Sequence, residues 1–160
     1  MIPPDAPSDL ADRLAGTLLG TALGDALEVK RVKGKGRGVF ARRTIAKGEV
    51  FETCPVLILP ASSIPDYSIG VGPYVFEWSK GKLALTLGFG SLYNHSYKPN
   101  ARYDDVGPQS KAFTALREIA PGEEITINYN GDPAIKKKVW FDVVEDTGKP
   151  ARPGATNGRK

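Results

Sequence analysis

From residue 28 to residue 129 the chain is a succession of short β-prone runs cut by glycine and proline. EVKRV is followed by KGKGRG and VFA. EVFETCPVLILP ends at a proline. YVFEW and KLALTL flank Lys80-Gly81, and NARYDDV, KAFTALREI and EEITINY are separated by Val-Gly-Pro and Pro-Gly turns. Apolar residues alternating with period two mark half-buried strands, and the punctuation marks tight turns. With 18 glycines and 13 prolines among 160 residues, turns are favoured over long helices. The expected fold is mostly β: small sheets joined by tight turns, with little helix after residue 28. A chain of this length allows one domain, which can bury about 70% of its unfolded surface.

One heptad occurs twice. Residues 43–49 read RTIAKGE and residues 117–123 read REIAPGE, each between two β-prone runs. Two widely spaced copies do not make a solenoid; they predict one turn design used twice.

Charge and cysteine usage exclude several function classes. The net charge of +4 belongs to residues 147–160, which hold four basic residues and no acid; the other 146 residues balance at 18 against 18. Overall basicity is therefore no argument for a nucleic-acid-binding fold. Residues 30–43 carry seven basic residues and no acid, and Lys136–Lys138 form a second basic run. Both read first as solvated surface, with nucleic-acid binding as the competing reading. A single cysteine, Cys54, and a single histidine, His95, exclude an internal disulfide and a zinc site built from those residues. Cys54 with His95 lacks an identifiable oxyanion or orienting partner for nucleophilic catalysis, so Cys54 reads as a small core residue.

Residues 10–27 have helical spacing, with Leu10, Leu14 and Leu18 four apart and a row of Gly16, Gly20 and Gly24. They resemble the opening helix of ADP-ribosylglycohydrolases, but over this segment alone, and the expectation is a packing helix or a fusion remnant. No apolar run approaches the roughly 20 residues of a membrane span, since Asp12, Arg13 and Asp25 interrupt the nearest candidate. Asp5 and Asp9 stand where a secretory signal wants basic residues, so Asn94-His95-Ser96 is not read as a glycosylation acceptor. The expectation is a cytoplasmic, intracellular protein, with chromatin-associated or nuclear placement open. The domain expectation is a lead and helix over 1–27, a folded domain over 28–143 and a disordered basic tail over 144–160.

Three segments stand out in order: GKGRGVFARR (34–43), GSLYNHSYKPNAR (90–102) and GEEITINYN (122–130). Glycine turns alone are weak; Asn-His-Ser followed by Pro-Asn, Gly-Glu-Glu and a β run ending in Asn-Tyr is specific in combination. Together they resemble the SET domain of protein-lysine methyltransferases over about residues 28–143, most nearly the short bacterial and viral SET proteins. The resemblance implies a fold of small β-sheets with a C-terminal pseudoknot, in which the last segment threads under the loop carrying Asn94 and His95. It implies an S-adenosylmethionine-dependent protein-lysine N-methyltransferase acting on a protein or peptide, with histone-like and ribosomal substrates open. The competing class is a non-catalytic SET-like peptide-binding module.

The chemistry needs no metal and no protein nucleophile. Methyl transfer from a sulfonium to an amine is chiefly an orientation problem, with reacting atoms about 3 Å apart. The amine must be neutral, against a free lysine pKa of about 10.4, and an aromatic channel disfavours the ammonium by desolvation. By resemblance, Tyr129 is the catalytic tyrosine, Tyr74 a channel wall, and Tyr103 the tyrosine whose hydroxyl limits how many methyl groups are added. Asn94 and His95 hold the cofactor, the turn Lys35, Gly36 and Arg37 meets its methionine end, and Trp140 stacks on its adenine. Three departures from the family pattern follow. Glu52-Thr53-Cys54 stands where many members have a tyrosine, Asn128 where an acid is usual, and no zinc-binding cysteine cluster follows the domain. Trp140, Phe141 or a partner subunit, as in a homodimer, is therefore expected to close the channel.

Overall fold

The computed structural model describes residues 26–144. The expected N-terminal helix and basic tail lie outside these residues. In chain order the strands are β1 (Leu27–Val32), β2 (Gly36–Ala41), β3 (Val50–Pro60), β4 (Val75–Ser79), β5 (Lys82–Thr86), β6 (Asn94–His95), β7 (Ala101–Val106), β8 (Ser110–Ala115) and β9 (Glu124–Ile127). They form a four-stranded sheet ordered β1-β2-β9-β6 and a five-stranded sheet ordered β4-β5-β3-β8-β7. From Leu27 onward the described chain is strand and loop apart from three short 3-10 turns, as the alternating runs predict. β1 begins at Leu27, whose side chain is buried together with Ala26, so buried packing is already present ahead of position 28.

The long run 50–60 is shared between two partners. Its first half pairs with β8, from Val50↔Thr114 to Pro55↔Ser110, and its second half with β5, from Val56↔Thr86 to Pro60↔Lys82. β9 is buried at all four positions because it lies between β2 and β6. A single core draws on both sheets and includes Val39, Ile45, Phe51, Cys54, Tyr93, Phe113, Ile119, Ile125 and Ile127.

The two copies of the heptad meet. Ile45 and Ile119 form an antiparallel bridge, each N–H donating to the other's carbonyl at 2.9 Å. Gly48 N–H donates to Ala115 O at 2.8 Å and Gly122 N–H to Ala41 O at 2.7 Å, so each turn closes on the end of the strand entering the other. Both glycines have φ near +80° (82° and 80°), a region only glycine adopts without strain. Inside each turn the arginine pairs with the glutamate (Arg43 with Glu49, Arg117 with Glu123), and that glutamate also accepts the N–H of Ala46 or Ala120. β2–turn–β3 and β8–turn–β9 are thus related by a local two-fold, with β2 paired to β9 and β3 to β8. This device draws β9, and whatever follows it, into the middle of the molecule.

Candidate active site

β6 is only two residues long and runs parallel to β9, with Asn94 opposite Thr126 and His95 opposite Ile127. The chain leaves β9 through Asn128 and reaches Tyr129, which is pinned twice by the segment carrying β6. Its N–H donates to His95 Nδ1 at 3.0 Å, a bond that requires an unprotonated Nδ1, and its hydroxyl donates to Tyr93 O at 2.8 Å. The following loop is held by amides. Asn128 Nδ2 donates to Ile135 O at 2.7 Å, while Asn128 Oδ1 accepts Asn130 N–H and Asn130 Nδ2, both at 3.0 Å. A carboxylate at 128 could accept but not donate, so the amide there suits this loop. Lys136 Nζ donates to Tyr97 O and Val139 N–H to Tyr97 Oη. The chain then returns over Tyr129: Trp140 stacks on its ring at 6.1 Å and 27°, and Phe141 meets it edge-on at 6.0 Å.

Two cavities meet at Tyr129. The first, about 360 Å³, is lined on one side by the turn Gly34–Arg37 and by Asn94 and His95, and on the other by Trp140, Phe141 and residues 142–144. Lys35, Gly36, Arg37, Asn94, His95, Tyr129 and Trp140 all border it. Two of these lining residues are tied together by Glu124, which is buried. Glu124 Oε2 pairs with Lys35 Nζ at 3.0 Å and Oε1 accepts Asn94 Nδ2 at 2.7 Å; the same Asn94 nitrogen donates to Arg37 O at 3.0 Å.

The second cavity, about 530 Å³, is aromatic and acidic. Tyr67, Phe76, Tyr93 and Tyr103 line it, with Glu77, Asp104 and Asp105. Pro73, Tyr74, Ser91, Tyr129 and Trp140 border both cavities, so Tyr74 and Tyr129 stand at the junction and Tyr103 lies wholly on the second side. One cation belongs to this cavity. Lys111 is 1% exposed, pairs with Asp105, and lies 5.0–5.3 Å from the rings of Phe76, Trp78 and Tyr103.

Burial dominates the electrostatics of the tyrosines. It pushes the Tyr129 hydroxyl up to about 12, helped by the charges of Glu124, Tyr74 and Tyr103, so this group is a phenol throughout the neutral range. Burial, with Asp105 and Glu77, likewise raises Tyr103 to about 12. Tyr93 goes well above its ordinary value through burial and the neighbouring Glu52, which accepts its hydroxyl at 2.5 Å.

Sequence reasoning did not single out Glu124, Tyr93 or Lys111. Glu124 had a signal, the second acid of Gly-Glu-Glu on a strand that is otherwise apolar. Glu52 and Tyr93 are 41 residues apart, and only the fold joins them. Among the described residues no cluster of carboxylate, histidine and cysteine groups could hold a metal ion. No described helix is long and apolar enough to cross a membrane.

Comparison with known proteins agrees with this geometry. The SET domain family model matches residues 36–130. A fission yeast (Schizosaccharomyces pombe) histone-lysine N-methyltransferase, specific for lysine 37 of H3, is 35% identical over 120 residues, 72% of this chain and 77% of that protein. A crystal structure of a Plasmodium falciparum protein taken to be a histone methyltransferase superposes with a TM-score of 0.57 at 30% identity, covering 66% of this chain and 93% of the other. With the parallel β6–β9 crossing and the Asn94-His95 and Tyr129 segments brought together, the chain belongs to the SET-domain family, and its activity class is that of the protein-lysine N-methyltransferases.

Proposed function

We propose that the protein transfers a methyl group from S-adenosylmethionine to a lysine ε-amine of a protein substrate, with the donor in the first cavity and the lysine entering from the second. The observation that carries this reading is the meeting of a cavity bordered by Lys35, Gly36, Arg37, Asn94, His95 and Trp140 with an aromatic, acidic cavity at one partly buried tyrosine, Tyr129. The donor set fits. The backbone of the 34–37 turn and the Asn94 amide offer polar partners, and Trp140, 66% exposed, offers an aromatic face. When bound, S-adenosylmethionine supplies an electrophilic methyl on a sulfonium.

The chain's own residues do the rest. Tyr129, its hydroxyl proton given to Tyr93 O, keeps oxygen lone pairs for the partial positive charge that develops on the transferred methyl. Glu77 and Asp104 favour the approach of a cationic lysine, while the rings of Tyr74, Tyr103 and Tyr129 disfavour the ammonium once inside. The amine must lose its proton before attack. Its lone pair forms the new C–N bond as the S–C bond breaks, giving a methylammonium and a neutral thioether. Residues 28–143 are proposed as the catalytic domain. The acidic lining favours a lysine in basic surroundings, as in the histone H3 on which the fission yeast relative acts.

The test is incubation with labelled S-adenosylmethionine and a mixed protein extract, with methylated lysines mapped by mass spectrometry. Label on lysines, lost in Tyr129→Phe, supports the reading. Cofactor-independent peptide binding without label transfer supports the non-catalytic module instead.

A further inference from the structure

Glu124 makes no contact that the methyl transfer itself requires, yet it is a buried carboxylate bonded to two residues that line the first cavity, Lys35 and Asn94. Its two oxygens have different tasks. Oε1 accepts Asn94 Nδ2 at 2.7 Å from β6, and Oε2 holds Lys35 Nζ at 3.0 Å from the β1–β2 turn, 89 residues away in sequence. Asn94 Nδ2 also donates to Arg37 O at 3.0 Å. Two acceptors on one side of the amide permit only one orientation, because the flipped amide would set oxygen against oxygen twice. With both amide hydrogens spent on Glu124 and Arg37, the polar atom Asn94 has left is Oδ1, an acceptor. The arrangement needs Gly38: a Cβ there would lie 2.6 Å from Glu124 Oε1 and 2.8 Å from Asn94 Nδ2.

We propose that Glu124 is the positioning residue of this cavity, locking the Asn94 amide so that Oδ1 is offered to a protonated amine at the amino-acid end of the ligand. The proposal rests on the reading of the first cavity as the S-adenosylmethionine site. It also explains why a carboxylate serves better than its amide. Gln at 124 has one acceptor for two donors, Asn94 Nδ2 and Lys35 Nζ. Once its oxygen takes the ammonium, its N–H₂ faces the Asn94 N–H₂ and removes one of the two acceptors that fix that amide, so Oδ1 is no longer held toward the cavity.

The test is calorimetric titration of the full chain with two neutral ligands: S-adenosylhomocysteine, and 5′-methylthioadenosine, which has the same thioether nucleoside but lacks the amino-acid end. Glu124→Gln should weaken S-adenosylhomocysteine by about tenfold or more while leaving 5′-methylthioadenosine within about twofold. Equal weakening of both ligands, as from a general loosening of the cavity, or of neither, overturns the proposal. The second variant is Glu124→Gln with Lys35→Met. Without the ammonium the Gln oxygen is free to take Asn94, so this variant should bind S-adenosylhomocysteine within about threefold of Lys35→Met alone, a comparison that cancels Lys35's own share of the site. A loss at 124 as large in the Lys35→Met background as in the wild-type background overturns the proposal. A wild-type chain that binds neither ligand overturns the cofactor reading and the positioning role together. One that binds S-adenosylhomocysteine unaffected by Glu124→Gln overturns the positioning role alone.

Discussion

Tyr129→Phe removes one oxygen and leaves the ring between His95, Trp140 and Phe141. The hydroxyl has two roles that the substitution separates. It donates to Tyr93 O at 2.8 Å, and its loss leaves that carbonyl without this partner, at a cost of about 1–3 kcal/mol in stability. Tyr129 also borders both cavities, and on the proposed function its oxygen meets the methyl in transit, an interaction that strengthens only in the transition state. Removing it should lower turnover about 100-fold or more, near 3 kcal/mol of barrier, with cofactor affinity changed little. The pH profile tests the assignment independently. With its pKa pushed up to about 12, Tyr129 does not titrate between pH 7 and 9.5, so a rise in rate over that range reports loss of the proton from the substrate amine. Single-turnover methyl transfer across pH 7–9.5 should rise with pH in both proteins, with parallel slopes and a constant offset of about 100-fold. A wild-type rate flat with pH, or a Tyr129→Phe protein as fast as wild type, would refute the reasoning.

Alkaline stability should fall early. Burial raises Cys54, Tyr103 and Tyr129 to about 12 and Tyr93 well above its ordinary value, so their neutral forms stabilise the fold fully below the unfolded values of about 8.5–10, and that stability is lost as pH rises toward 12. Thermal midpoints measured from pH 8 to 11.5 should drop steadily, and a flat profile would contradict this. Lys111 and Asp105 should respond unequally. Lys111→Met keeps the packing and leaves only the half-exposed Asp105 (43%), for a change within about 1 kcal/mol, whereas Asp105→Ala strands a buried ammonium at about 3 kcal/mol; denaturant unfolding that ranks them the other way would refute this. Tyr103→Phe should shift products from mono- and dimethyllysine toward trimethyllysine, read by mass spectrometry, on the proposal that its hydroxyl holds a water in the room a further methyl needs. Wild-type protein yielding mostly trimethyllysine would rule that out. A chain trimmed to 26–144 should fold and bind S-adenosylhomocysteine; an insoluble product would make the excluded segments part of the fold.

Local chemistry made much of this protein legible in one dimension. Period-two alternation marked the strands, and glycine marked turns such as those at Gly48 and Gly122, because both signals act within a few residues. The Gly-Lys-Gly-Arg-Gly, Asn-His-Ser and Asn-Tyr segments were recognisable as well, since each residue type carries its chemistry wherever the chain puts it. The twice-used heptad predicted a repeated turn, but not that the two turns pair through Ile45 and Ile119. That pairing required the chain to close on itself over more than seventy residues, and such closures leave no periodic trace.

The tertiary structure alone decided which buried polar groups satisfy one another. Glu124 joins Asn94 and Lys35, Glu52 takes the Tyr93 hydroxyl, and Lys111 lies among Phe76, Trp78 and Tyr103. A buried carboxylate or ammonium must find a partner, so the sequence could show that these groups need one. Which partner each receives depends on how the β1–β2 turn, β6 and β9 converge around Tyr129, a geometry set by the packing of both sheets rather than by any neighbour along the chain.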